Sequence, residues 1–185
     1  MPMMVWLIVG AVALVIAVSV WLNIRRGRRL RRQFGPEYTR VLAQQGDREV
    51  TELELKQRLR RRHDLPIRPL HDEARERYAE WMRAIEARFD QDPAEALAEA
   101  DTLVIHIMRA RGYPGEGFDE IVGDISVDDP EAAQEYRSGY TLAVPEDSQR
   151  APSREQLRTA LMHYGRLVRR LVGGAGEFVD AEQRA

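Results

Sequence analysis

The first 32 residues leave this chain few folds to choose from. Met3 to Ile24 is a predominantly apolar run, and no side chain from Met1 to Ile24 is charged. At ~1.5 Å rise per residue such a run spans roughly 33 Å as a helix, enough to cross a hydrocarbon core with little tilt. Arg25, Arg26, Arg28, Arg29, Arg31 and Arg32 follow at once, while the other flank carries no arginine. Basic residues stay on the cytoplasmic side of a span. The expectation is therefore a single-pass helix in the inner (plasma) membrane, with the N-terminus outside and the rest of the chain in the cytoplasm. A cleaved signal peptide has its basic residue before a shorter apolar core and a small-x-small site after it; here the order is reversed. Trp6 and Trp21 sit near the two ends, where aromatic rings suit the headgroup levels. Gly10, Ala13 and Ala17 share one helical face and offer a route to a homodimer through the span, although such residues are also common in spans that only face lipid.

Charge is distributed unevenly beyond the span. Residues 25–70 hold 14 basic and 6 acidic side chains, a net of +8, and residues 71–185 hold 14 basic and 24 acidic, a net of −10. Anionic lipid attracts the first part at ~1 kcal/mol per basic residue near the surface and repels the second. The bilayer's anionic leaflet is thus an expected partner and nucleic acid is not, because the acidic body repels phosphate. Cysteine is absent, which removes disulfides and thiolate chemistry.

Punctuation then divides the chain. Gly35-Pro36 starts a helix with Tyr38, Val41 and Leu42, stopped by Gly46-Asp47. A second helix, about Glu49 to Arg62, runs from acid to base and complements its own dipole; it reads more simply as a solvated helix than as a lipid or partner patch. Leu65-Pro66-Ile67-Arg68-Pro69-Leu70 has two prolines and predicts an extended connector pinned by Leu65, Ile67 and Leu70. Tyr78, Trp81, Met82, Ile85 and Phe89 recur at helical spacing. Asp92-Pro93 opens a helix to about Arg111, whose centre, Leu103 to Met108, predicts the buried middle of the domain. A Gly/Pro-rich loop, Arg111 to Gly117, and a brief helix, about Phe118 to Val122, lead to Asp129-Pro130, which caps the helix carrying Tyr136, Tyr140 and Leu142. Ser153 with Gln156 forms a capping box, and Leu157, Ala160, Tyr164, Leu167 and Leu171 make the seam of the last helix, either for packing at home or for a partner helix. The fold class expected is all-α, an N-terminal transmembrane helix followed by a cytoplasmic bundle of about six helices. Its divisions are a transmembrane anchor (1–24), a basic juxtamembrane segment (25–35), membrane-proximal helices (36–64), a helical domain (65–172) and a loose tail (173–185).

Candidate chemistry is sparse. Asp124, Ser126, Asp128 and Glu135 fall at calcium-loop spacing, but Asp129 stands where the loop needs glycine and Pro130 follows, so capping explains them better. His63, His71, His106 and His163 show no zinc-ligand spacing. His106, in the most apolar hexapeptide, reads as a core histidine with satisfied hydrogen bonds. No catalytic or cofactor motif is present, so neither an enzyme nor a cofactor is expected. Two functions remain: a protein-interaction or scaffolding module with an unknown protein partner, and a small-ligand or stress sensor with a pocket near His106, Tyr113, His163 and the Arg111–Phe118 loop.

Three blocks, Gln33-Phe34-Gly35-Pro36-Glu37-Tyr38, Arg111-Gly112-Tyr113-Pro114 and His163-Tyr164-Gly165-Arg166-Leu167, resemble in content and order those of a family of small single-span membrane proteins of unknown function from high-GC Gram-positive bacteria. The resemblance implies a membrane-anchored cytoplasmic helical domain and brings no activity with it.

Overall fold

Prolines and small polar residues cut this chain into helices, and the computed structural model follows most of those cuts. It describes Leu14, Val18, Trp21 and residues 28–115, 117–144 and 151–173; among these every regular element is an α-helix. Helix α1 is described over 28–34. After it come α2 (Pro36–Gln45), α3 (Arg48–Asp64), α4 (Asp72–Arg88), α5 (Pro93–Arg111), α6 (Phe118–Asp128), α7 (Pro130–Ala143) and α8 (Arg154–Gly173). Seven helices therefore follow Gly35 among the described residues, against the six or so expected. The chain divides into two compact units, Met1–Gln57 and Arg58–Ala185, with the boundary inside α3. The reason is chemical: Arg58, Arg61 and Arg62, on the last turns of α3, bond to Ser126, Asp124 and Asp128 of α6.

In the first unit, the anchor expected over residues 1–24 lies outside the described residues except for Leu14, Val18 and Trp21. These three are helical, spaced by four and three so that they share a face, and all are exposed. Among the described residues no helix is long and apolar enough to cross a membrane. Trp6, Arg25 and Arg26 also lie outside the described residues; Arg28, Arg29, Arg31 and Arg32 are exposed on α1, while Leu30 and Phe34 are buried. Gly35, at φ 47°, separates α1 from α2 in a backbone conformation that side chains disfavour. The α3 helix starts on Asp47, whose carboxylate accepts from the backbone N–H of Glu49 at 2.6 Å and of Val50 at 3.0 Å. It also buries Thr51, Glu52 and Leu55, so one side is less solvated than its ragged apolar pattern predicts.

The second unit holds a continuous core. Helix α8 packs along α7, α5 and α4, with α4 also on α5 and α6 on α7. Ala160, Leu161, Tyr164, Leu167, Val168 and Leu171 of α8 are all buried in this core, so the seam is used at home. The two-proline connector is non-helical as expected: Leu70 joins the core, Leu65 and Ile67 pack against it, and Arg68 N–H donates to Arg111 O at 2.9 Å.

Two expectations need correction here. His106 is exposed, not buried, because α5 turns Leu103, Val104, Ile107 and Met108 inward and leaves Thr102, His106 and Arg109 on an outer stripe. The helix expected to end near Val122 runs on to Asp128. Residues 121–127 are all buried, and the polar members are satisfied within the helix or from α3: Ser126 Oγ donates to Gly123 O at 2.7 Å. The tail beyond Gly173 lies outside the described residues.

Candidate functional site

Helix α5 carries Ala94, Leu97, Ala98 and Asp101 at i, i+3, i+4 and i+7, a spacing that lines them up on one face. Opposite stand Tyr140 and Ala143 of α7 and Leu157 and Tyr164 of α8, and together these residues border a cavity of about 430 Å³ in the second unit. Small side chains make the space. Alanine at 94, 98 and 143 withdraws volume that a larger residue would fill, and the volume left falls within the ~300–1,000 Å³ typical of small-molecule sites.

Among the described residues Asp101 is the one charged group on this wall. Its Oδ1 accepts from Tyr136 Oη at 2.8 Å and from Tyr164 Oη at 3.0 Å. The rings of Tyr136 and Tyr164 meet edge-on at 5.9 Å, and Phe118 stacks on Tyr140 at 4.0 Å, so the aromatic wall is held by its neighbours. Burial, reinforced by the Asp101 charge, pushes both phenols well above the ordinary tyrosine range. They act as fixed donors.

A second tyrosine–aspartate cluster lies in the same unit. Tyr113 donates to Asp128 Oδ2, which Arg62 Nε also reaches at 2.5 Å. The guanidinium groups of Arg62 and Arg111 lie 6.0 and 5.6 Å from the Tyr113 ring centre. Arg170 meets the neighbouring Asp129 through two bonds of 2.8 and 2.9 Å. Burial, then the bond to Asp128, raises the Tyr113 pKa above its ordinary value. For Arg62, burial lowers the pKa but the bond and charge of Asp128 outweigh it. The gap beside this cluster is only about 10 Å³, no more than a water's worth.

The pocket expected around His106, Tyr113 and His163 takes a different form. His106 is exposed against Trp81, with ring centres 5.4 Å apart; Tyr113 belongs to the arginine-rich cluster; His163 Nδ1 pairs with Glu135 at 2.6 Å. Neither histidine borders either cavity. Asp124, Ser126 and Asp128, read at calcium-loop spacing, lie on α6 and meet Arg61, Arg58 and Arg62 instead. Asp101 escaped the sequence reading, although the i, i+3, i+4, i+7 run of small residues ending in a carboxylate was available. No protein-family model, curated protein or solved structure matches the chain. The site is therefore read from its own geometry.

Proposed function

We propose that this chain is a membrane-tethered ligand-binding domain of the sensor type. In this reading residues 1–24 form the span, the arginines from Arg25 to Arg32 sit at the anionic cytoplasmic leaflet, and the second unit faces the cytoplasm, as the family resemblance also implies. The observation that carries the binding function is the cavity of about 430 Å³, on whose largely apolar wall the described residues place a single carboxylate. Exposed Leu14, Val18 and Trp21 on one helical face agree with a lipid-facing segment. A scaffolding role is the second reading, favoured by Val50 and Leu53, which are both exposed and one turn apart on α3.

The test uses the full chain with labelled methyl groups in detergent micelles, titrated with cyclohexylmethanol. Shifts at Leu97 and Leu157 that vanish in Ala98→Phe are the expected result; no shift at either leucine would end the ligand-binding reading. For the tether, a reporter fused after Ala185 should be shielded in intact cells. Labelling of that reporter from outside would reverse the orientation.

A further inference from the structure

Among the described residues of the second unit, arginine neutralises the partly buried carboxylates with one exception. Glu99 pairs with Arg88, Glu120 and Asp124 with Arg61, Asp128 with Arg62, Asp129 with Arg170, and Glu135 with His163 and Arg166. Asp101 is half-buried and has no basic partner among the described residues. Its two hydrogen bonds both fall on Oδ1, from Tyr136 and Tyr164, leaving Oδ2 without a side-chain donor among those residues. A carboxylate withdrawn from water without a countercharge is costly. This one borders the large cavity.

We infer that the cavity takes a small organic cation, a protonated amine on an apolar body, with Asp101 as its counter-ion. The inference rests on the reading of the cavity as a ligand site and names the ligand's chemistry. Three features of the wall select this class. Among the described residues that line it the only charge is negative, which repels an anion and attracts an ammonium, more strongly than in water because the surroundings are apolar. Leu97, Leu157 and the alanines receive an aliphatic or aromatic body. Tyr140 and Tyr164 line the cavity with aromatic rings, a residue type that attracts cations, and the stacked Phe118 holds Tyr140 in place. A zwitterionic lipid headgroup fits poorly, since its phosphate would meet no basic residue among the described residues of this wall. The ligand is thus a free amine rather than a lipid.

The experiment compares two probes of the same shape on the full chain in micelles: cyclohexylmethylamine, charged at neutral pH, and cyclohexylmethanol, neutral. Dissociation constants come from the Leu97 and Leu157 methyl shifts. The amine is expected to bind at least about tenfold tighter than the alcohol. In Asp101→Asn, which keeps an oxygen for both tyrosine hydroxyls, the amine should fall to within about twofold of the alcohol. Equal affinities in the unmodified chain overturn the cation inference while leaving the cavity as a ligand site. Binding of neither probe overturns both. The wild-type pair of titrations decides the matter even if the variant does not fold.

Discussion

Two aspartates of the second unit hold tyrosine hydroxyls, and the surroundings give the two clusters opposite electrostatics. Asp128 takes one hydroxyl, from Tyr113, and a guanidinium, from Arg62, with Arg111 against the ring and Arg170 on the neighbouring Asp129. Asp101 takes two hydroxyls and, among the described residues, no cation, and it borders about 430 Å³ of space where the other cluster has about 10 Å³. The hydrogen-bonding motif is shared; charge balance and room are not. The ligand-binding proposal rests on this difference: one cluster is paired with arginine and filled, the other is without a described cation and borders open space.

Alkaline pH tests what the two clusters share. Tyr113, Tyr136 and Tyr164 all have folded-state pKa values above the ordinary one, burial being the leading cause in each. The folded chain therefore holds these protons more tightly than the unfolded chain. Their contribution is complete below about pH 10 and is lost as pH rises from there towards the folded-state values. Phenolate absorbance near 295 nm should show these three tyrosines titrating only with unfolding. Asp101→Asn should lower Tyr136 and Tyr164 part of the way and leave Tyr113 where it is.

Gly112→Ala attacks the neutralised cluster through its backbone. Gly112 sits at φ 96°, and a Cβ there would lie 2.6 Å from Pro66 O, a backbone atom that cannot swing aside. A loss of about 3 kcal/mol in chemical denaturation is expected. Asp128→Asn comes next, at about 2 kcal/mol, because it removes the charge that Arg62 is bonded to in a partly buried setting. Tyr136→Phe and Tyr164→Phe should each cost about 1 kcal/mol. Their double variant should depart from additivity, since both hydroxyls serve one oxygen. Asp101→Asn should change stability least, under about 1 kcal/mol, because no cation is orphaned. If it cost as much as Asp128→Asn, the contrast between the clusters would collapse.

Local features were legible in the residues themselves. Asp92 accepts from Glu95 N–H at 3.0 Å, Asp129 from Ala132 N–H at 2.9 Å, and Ser153 and Gln156 bond reciprocally at 3.2 and 2.8 Å, as their spacing predicts. Gly46 stops α2 at φ 67°, and two prolines keep 65–70 out of a helix. His106 was misplaced by reading hydrophobicity as a continuous run; its four- and three-residue steps to Thr102 and Arg109 already described an outer stripe. The extent of α6 was hidden because Asp124 and Ser126 look like loop residues until arginines more than 60 positions away supply partners.

The sequence by itself determined most helix starts and stops, though not the end of α6 or the outward face of His106, because caps, glycine stops and helical periodicity act over a few residues. It also set the uncharged run and the arginines that follow it, on which the membrane proposal stands. Only the tertiary structure decided which of the described, partly buried carboxylates goes without a described cation. Asp101 lies 35 positions from Tyr136 and 63 from Tyr164, and their meeting depends on how α5, α7 and α8 pack together. Interhelical register comes from close packing of the whole core, where a displacement of one turn would exchange every partner.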